Sequence, residues 1–219
     1  MTLRDRPEKV VMASSNPGKL REINQILGGL GMEVLPQSDF DVPDADETGL
    51  TFVENSILKA RHAAQLTGLP AIADDSGLEV DALKGAPGIY SARYFSRSGS
   101  SRSGGSGPNP GPGTTDEKNL RKLLDDLKDV PEADRTARFQ CLMVFMAHAE
   151  DPTPIICQGT WEGRILFETR GEGGFGYDPV FYVPGENCAS AELAPAVKNS
   201  LSHRGQALKK LVKALESAR

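Results

Sequence analysis

The first half of the chain alternates apolar runs typical of strands with amphipathic stretches typical of helices. Residues 9–13 predict a β-strand, and apolar residues then recur at helical spacing from residue 20 to residue 30. A second apolar run at 69–73 predicts the end of a buried strand. Polar segments follow both predicted strands directly, so these segments are the first candidates for a functional site.

The stretch from Asp74 to Gly77 is the most informative of these polar segments. It follows the run at 69–73, so we expect Asp74, Asp75 and Ser76 at the carboxyl end of a buried strand. Adjacent carboxylates suit a hard cation such as Mg²⁺, and ligands of open α/β sheets bind outside the carboxyl ends of strands. Because Asp, Ser and Gly are also turn formers, this segment alone leaves both a turn and a metal site open.

A second polar segment, Ser14-Ser15-Asn16-Pro17-Gly18-Lys19, joins the first predicted strand to the first predicted helix. Asn16 is a good N-cap, and Pro17 fits the first helical position. Unpaired N–H groups and the helix dipole both favour phosphate at such a helix start, where Lys19 adds a positive charge. The segment departs from the P-loop pattern, so an anion site and an ordinary capped helix both remain open.

The next predicted helix begins with a capping box formed by Thr51 and Glu54. Helical spacing puts Asn55, Lys59 and His62 on one face of it. That face is either a solvated stripe or a polar wall beside a phosphate site.

Two segments in the second half carry groups suited to a nucleobase. In Gly173-Gly174-Phe175-Gly176-Tyr177-Asp178 the glycines allow close backbone approach, and the two aromatic side chains are able to stack on a flat base. The alternative is a glycine-rich turn that leads into a strand. Ser202-His203-Arg204-Gly205 precedes a predicted C-terminal helix, where a His–Arg pair is either a solvated cap or a pair of planar donors.

Taken together, these segments resemble the inosine/xanthosine triphosphate pyrophosphatase family, and its bacterial branch most closely. The matching segments keep the family's order and cover nearly the whole chain: 14–19, 47–55, 72–94, 173–184 and 202–208. The resemblance implies an enzyme that hydrolyses non-standard purine nucleoside triphosphates (ITP, dITP and XTP) to the monophosphate and pyrophosphate, which cleanses the nucleotide pool. The alternatives are a related house-cleaning pyrophosphatase for modified pyrimidine or methylated nucleotides, and a nucleotide-binding module without catalysis.

The resemblance also implies the architecture and assembly. It predicts an α/β fold with a long, bent mixed sheet, flanking helices and two lobes around a central cleft, assembled as a homodimer. Residues 1–219 would form a single domain. Residues 96–115 depart from the family pattern, because 15 of these 20 residues are Ser, Gly or Pro. Such a segment has too little apolar area to offset its ordering entropy, so we expect a flexible insertion there.

By the same resemblance, Asp75 is the general base and a Mg²⁺ ligand, and Lys59 is the second catalytic residue. Glu47 and Asp74 would complete the metal site, with Glu47 favoured over Asp46. The remaining matched residues would contact the substrate: Ser14, Ser15, Asn16, Pro17, Gly18, Lys19, Ser76, Phe175, Gly176, Tyr177, Asp178, Lys198, His203 and Arg204. Of these, Phe175 to Asp178, Lys198, His203 and Arg204 would surround the base.

Selectivity for the base has a physical explanation. Hypoxanthine and xanthine present an oxygen acceptor at position 6, whereas adenine presents an amino donor. Donors aimed at position 6, such as Arg204 or backbone N–H groups, would stay unpaired against adenine. Each buried unpaired donor costs about 1–3 kcal/mol, which corresponds to roughly tenfold to hundredfold discrimination.

Composition excludes several other classes of function. The formal net charge of −5 and a pI near 5.3 argue against a general nucleic-acid binder. The sequence has no apolar run long enough for a membrane span and no signal-peptide core at its start, so we expect no membrane partner and a cytoplasmic location. Cys141 and Cys157 lie within apolar runs, which predicts buried thiols and not metal ligands.

Overall fold

The computed structural model describes residues 7–28, 31–96 and 113–217. Within them the α-helices are α1 Pro17–Leu27, α2 Phe52–Thr67, α3 Thr115–Asp126, α4 Pro195–Leu201 and α5 His203–Ser217. The β-strands are β1 Lys9–Met12, β2 Glu33–Pro36, β3 Ala71–Val80, β4 Thr136–Met146, β5 Ile155–Ile165, β6 Phe181–Val183 and β7 Cys188–Ala189. Strands and helices alternate along the first half, as predicted.

The strands form one mixed sheet of seven strands in the order β2-β1-β3-β4-β5-β6-β7. Strand β1 pairs in parallel with both β2 and β3. Strand β6 pairs antiparallel with β5 and with β7. The predicted mixed α/β fold with flanking helices is confirmed.

The chain divides into two compact units, which are described in turn. Unit 1 comprises Met1–Ser76, Gln140–Thr160 and Asn199–Arg219. Two apolar clusters in unit 1 are divided by the alternation of side chains along β1. Val10 and Met12 pack with α1 and α5, whereas Val11 and neighbouring alanines pack with the alanine face of α2. Helices therefore cover both faces of the sheet in unit 1.

Unit 2 comprises Gly77–Phe139 and Trp161–Lys198. Its core includes the buried rings of Phe139, Trp161 and Phe181. The Phe181 ring centroid lies 4.5 Å from that of Phe139 and 5.2 Å from that of Trp161. These side chains come from β4, β5 and β6, so three neighbouring strands share one aromatic contact in unit 2.

Two helix starts follow from caps that the sequence predicts. The Asn16 side chain accepts hydrogen bonds from the N–H groups of Gly18 and Lys19, so α1 begins at residue 17. The Thr51 hydroxyl accepts from the N–H of Glu54 and opens α2. The predicted Asn16 cap is confirmed, and the Thr51 half of the predicted capping box is present at α2.

The apolar spacing after residue 116 and the helix-breaking Pro131 predict a helix over residues 116–130, and this end is wrong because α3 ends at Asp126. Buried Arg135 accounts for the difference. Its guanidinium donates to the carbonyl of Leu127 at 2.7 Å and to that of Val130 at 3.2 Å. Those carbonyls are therefore satisfied by a side chain outside the helix, and the chain leaves the helix before Pro131.

The prediction that a strand ends before Asp74 is also wrong. Strand β3 runs without interruption from Ala71 to Val80, so the Asp74–Gly77 segment lies in its middle. Lysine and arginine residues distant in the sequence pair with the Asp74 and Asp75 carboxylates. These two side chains therefore do not require a turn that exposes them to water.

Other expectations are resolved only in part. The thiols of Cys141 and Cys157 are buried and not in disulfides, as predicted. The predicted insertion lies mostly at residues 97–112, outside the described residues. Within the three described ranges, no helix combines the length and apolar character needed to span a bilayer.

Candidate active site

Side-chain alternation along β3 sends its two adjacent aspartates to opposite faces of the sheet. Ile72 belongs to the cluster packed with α1 and α5, whereas Ala71 and Ala73 belong to the cluster packed with α2. Alternate residues of a strand share a face, so Asp74 faces α1 and α5, and Asp75 faces α2. The two carboxylates therefore meet different partners.

Asp74 is fully buried within a network of opposite charges. Its carboxylate accepts from Lys19 Nζ at 3.0 Å and from Arg204 Nε at 2.5 Å, and the Ser76 hydroxyl donates to the same oxygen as Lys19. Arg204 also donates from Nη1 to Glu22 on α1 at 2.5 Å. Lys19, Asp74, Arg204 and Glu22 thus form a chain of alternating charges that ties α1, β3 and α5 together.

This network determines the ionisation of Asp74. Burial alone would raise its pKa, but the charges of Arg204 and Lys19 outweigh burial and hold the pKa well below its ordinary value. The same two acids, Asp74 and Glu22, raise the pKa of Arg204 in spite of its burial. Asp74 is therefore ionised, and both of its oxygens already have donors.

On the α2 face, Lys59 connects two other carboxylates. Its Nζ donates to Asp75 Oδ1 at 2.8 Å and to Glu47 Oε1 at 3.1 Å. The second oxygen of Asp75, Oδ2, is buried and has no hydrogen-bond partner among the described residues. Asp46, the alternative to Glu47, is exposed. The structure therefore brings together Glu47, Lys59 and Asp75.

Burial and charge act in opposite directions at this cluster. Burial raises the pKa of Asp75, the charges of Lys59 and Lys19 offset that effect only in part, and the nearby charge of Glu47 raises the pKa further. Burial would lower the pKa of Lys59, but the two carboxylates raise it, so the amine stays protonated. A carboxylate with a raised pKa, held by a lysine, suits a general base.

The backbone of Asp75 is fixed by Ser56, a fully buried residue of α2. The Ser56 hydroxyl accepts from the Asp75 N–H at 2.9 Å and donates to the Leu142 carbonyl at 2.7 Å. The hydroxyl thus bridges β3 and β4 at the residue that carries the candidate base.

The predicted phosphate segment differs in detail from expectation. The Asn16 side chain already accepts from the first available N–H groups of α1, so the helix start is not a row of unpaired donors. The Ser14 hydroxyl accepts from the Asn16 N–H at 3.2 Å, and the Ser15 hydroxyl donates to Asp44 at 3.1 Å. The charge of Lys19, two residues beyond Pro17 and in the first turn of α1, is the strongest attraction for phosphate in this segment.

In unit 2, Asp178 is the centre of a second buried network. Its carboxylate accepts from Lys198 Nζ at 2.7 Å, from Ser190 Oγ at 2.8 Å and from the Phe175 N–H at 2.8 Å. Gly174 has a φ of +77°, and a Cβ there would overlap Asp178 Oδ2. Asp178 therefore holds the glycine-rich turn closed, and its oxygens are already engaged by protein donors.

The two aromatic residues of that turn have different environments. Tyr177 is buried, and its hydroxyl donates to the Ser91 carbonyl at 2.8 Å. Phe175 is 37% exposed, and Lys198 Nζ lies 5.1 Å from its ring centroid. The Gly176 N–H donates to Asp116 at the start of α3 at 2.9 Å. Phe175 is thus the aromatic side chain of this turn with a surface to offer a ligand.

The start of α5 is buried in unit 1. His203 and Arg204 are 7% and 3% exposed. A Cβ at Gly159 of β5 would overlap the His203 carbonyl, so the absence of a side chain there lets α5 approach the strand. Arg204 directs Nε and Nη1 at two carboxylates, which differs from the expectation that it reads the base.

The residues present fit a magnesium ion. No cluster of three or more His, Cys, Asp or Glu side chains arranged for a metal occurs in the described part of the chain. However, Mg²⁺ is usually held by one or two carboxylates together with substrate phosphates. Glu47 and Asp75 supply two carboxylates, and the unpartnered Asp75 Oδ2 supplies an oxygen that needs a partner.

Several residues of these networks are not among those the sequence singles out. Glu22 lies three residues after Lys19 on α1, and this spacing places both side chains on one face of the helix. The spacing is the sequence pattern that would have indicated Glu22 as part of the same network. Ser56, Asp44 and Asp116 gave no comparable signal, because each acts on a segment far away in the sequence.

Comparisons with known proteins agree on one family. The model of the Ham1 family matches residues 10–214. The dITP/XTP pyrophosphatase of Vibrio parahaemolyticus is 60% identical over 93% of this chain and 94% of its own length, and that of Vibrio cholerae is 57% identical over 97% and 98%. A solved HAM1 protein from Coxiella burnetii superposes with a TM-score of 0.82 at 47% identity, covering 95% of this chain and 98% of its own. The chain belongs to the Ham1 family.

Proposed function

We propose that this chain is a pyrophosphohydrolase that converts ITP, dITP and XTP to the nucleoside monophosphate and pyrophosphate. The relatives named dITP/XTP pyrophosphatase support this substrate class, because they match almost the whole chain at 57–60% identity. The observation that carries the chemistry is the cluster of Asp75, Lys59 and Glu47, in which Asp75 Oδ2 is buried without a partner.

In this proposal Asp75 takes a proton from the water that attacks the α-phosphorus. Its raised pKa makes it a stronger base than an exposed aspartate, and Lys59 fixes its orientation through Oδ1 at 2.8 Å. Lys59 stays protonated and offers positive charge near the reacting phosphate. Positioning and electrostatic stabilisation of this kind supply most of the catalysis in phosphoryl transfer.

Glu47 and Asp75 would hold Mg²⁺. The bound ion supplies positive charge that neutralises the triphosphate. Asp74 would have a different role from the one that the family resemblance implies. Its two oxygens already accept from Lys19, Ser76 and Arg204, so Asp74 would hold those residues in place. The metal would then be bound by Glu47 and Asp75.

The remaining roles follow the family resemblance. The segment from Ser14 to Lys19 and Ser76 would contact the phosphates, with Lys19 as the main charge. Phe175 would stack on the purine, while Asp178 holds the turn and Lys198 in place. By the family resemblance, His203 and Arg204 would lie beside the base. Arg204 would act mainly by holding the Asp74 and Glu22 carboxylates in place.

The family resemblance also supports a homodimer in the cytoplasm, and we include both in the proposal. Sedimentation of the purified chain at micromolar concentration would test the first, and fractionation of cells would test the second.

A panel of ITP, dITP, XTP, GTP, ATP and CTP with Mg²⁺ tests the proposed substrate class. We expect ITP, dITP and XTP to be hydrolysed at least about tenfold faster than ATP, because donors aimed at an oxygen on position 6 stay unpaired against an amino group. Pyrophosphate should be released with no orthophosphate. Preference for CTP or for methylated nucleotides would support the related house-cleaning enzymes, and tight binding without product would support a binding module.

A further inference from the structure

Asn55 is a residue of the α2 face that the proposed chemistry does not use. It lies four residues before Lys59, so the two share one side of the helix. The sequence left open whether this face is solvated or lines a phosphate site. The Asn55 side chain is fully buried, so it neither faces solvent nor offers a surface to a phosphate.

The amide of Asn55 holds the segment that carries Glu47. Its Oδ1 accepts a hydrogen bond from the N–H of Gly49 at 2.9 Å. Gly49 lies two residues after Glu47 in the sequence. The approach is close enough that a Cβ on Gly49 would lie 2.7 Å from Asn55 Oδ1 and 2.6 Å from Glu54 Cβ. Gly49 therefore sits directly against the first turns of α2.

Other bonds join the same segment to the same helix. Glu54 Oε2 accepts from the Leu50 N–H at 2.9 Å, and Lys59 Nζ donates to Glu47 Oε1 at 3.1 Å. Helix α2 thus holds both ends of the short stretch from Glu47 to Leu50. Asn55 lies between these two contacts and fixes the middle of the stretch.

Stability alone is a poor explanation for an asparagine at this position. Its Nδ2 is buried and has no hydrogen-bond partner among the residues the structure describes. A buried polar group without a partner destabilises the folded chain, so the Nδ2 group offsets part of the stability that the bond from the Gly49 N–H to Oδ1 contributes. The acceptor oxygen is the part of Asn55 that makes a contact, and that contact leads to Glu47.

We propose that Asn55 is a positioning residue that sets the Glu47 carboxylate for Mg²⁺. The inference rests on the proposed role of Glu47 as a metal ligand. Groups that orient a ligand without touching the metal typically change metal affinity by tenfold to a hundredfold when they are removed.

The test compares four variants of the full chain with wild type. Asn55→Leu removes the acceptor but keeps the branched four-atom shape of the side chain, and Gly49→Ala disturbs the same contact from the other side. Asn55→Asp retains the acceptor oxygen but buries a second charge. Ala63→Gly, in the same helix, lowers stability through backbone freedom and leaves the Gly49 contact intact. The primary measurement is the rise in melting temperature on titration with Mg²⁺ alone. The second is the Mg²⁺ concentration for half-maximal ITP turnover.

We expect Asn55→Leu and Gly49→Ala to need about tenfold more Mg²⁺ in both measurements, with KM for ITP little changed at saturating Mg²⁺. Asn55→Asp and Ala63→Gly should melt at lower temperature yet keep a wild-type Mg²⁺ requirement. If Asn55→Leu keeps that requirement while wild type responds to Mg²⁺, Asn55 does not position Glu47. If wild type shows no response to Mg²⁺ in the melting experiment, the assignment of Glu47 and Asp75 as metal ligands fails, and the role of Asn55 fails with it.

Discussion

Replacing Asp75 with asparagine should lower kcat for ITP by at least about a hundredfold and raise the melting temperature of the metal-free protein. A general base typically contributes 10²–10⁴ to the rate, and an amide accepts no proton at neutral pH. The gain in stability follows from burial, which raises the pKa of Asp75, so that its charged form is less favourable in the folded chain than in the unfolded one.

The sign of the pH dependence follows from the same shift. The folded chain binds the Asp75 proton more tightly than the unfolded chain, so this group lowers the free energy of unfolding as pH rises from the ordinary aspartate pKa to the raised one. Activity should have the opposite dependence, because the base works only when ionised. In the metal-free protein, the Asp75 carboxyl should therefore lose its proton at a higher pH than an ordinary aspartate.

Thermal melting in EDTA and steady-state kinetics with Mg²⁺ measure the two effects. Asp81→Asn is a suitable control, since Asp81 directly follows β3 but its pKa is lowered to about 2 by the Arg138 and Thr136 side chains. The Asp81→Asn variant should keep wild-type activity and melt at a slightly lower temperature. If Asp75→Asn keeps near wild-type turnover, Asp75 is not the general base. If the variant melts at a lower temperature than wild type, burial does not make the charged Asp75 side chain unfavourable in the folded chain.

Arg204→Met should lower the free energy of unfolding by about 3–5 kcal/mol. Arg204 is 3% exposed and is bonded to both Asp74 and Glu22. Removing one partner of a buried ion pair leaves the other charge without compensation, and Asp74 is fully buried. Urea denaturation followed by circular dichroism gives the loss directly.

Two further variants separate this explanation from simple loss of packing. Arg204→Met combined with Asp74→Asn should recover much of the stability, because the uncompensated charge is then absent. Arg138→Met should lose only about 1 kcal/mol or less, since the partners of Arg138 are exposed at 47% for Asp81 and 66% for Glu162. Equal losses in Arg204→Met and in the double variant would show that the charge network is not what stabilises this region.

The sequence predicts those features whose partners are close in the chain. Asn16 caps the N–H groups of residues two and three positions later, and Thr51 caps Glu54 in the same way. Each prediction needs only local geometry and known residue preferences. The candidate cluster of Asp75, Lys59 and Glu47 was found differently, from a family resemblance that carries long-range information.

The features that the sequence does not predict depend on distant residues. Asp74 to Gly77 has the composition of a turn, yet it stays in β3 because Arg204, 130 positions away, neutralises Asp74. The end of α3 shifts because the Leu127 carbonyl bonds to Arg135. No local pattern indicates either contact, and the opposite orientation of Asp74 and Asp75 became clear only once their strand was known to be continuous.

Hydrolysis of ITP in ¹⁸O-labelled water tests the central claim most directly. If water attacks the α-phosphorus with Asp75 as the base, mass spectrometry should find one ¹⁸O atom in the inosine monophosphate and none in the pyrophosphate. Label in the pyrophosphate would place the attack at the β-phosphorus, and labelled orthophosphate as first product would place it at the γ-phosphorus. Either result would contradict the proposed reaction.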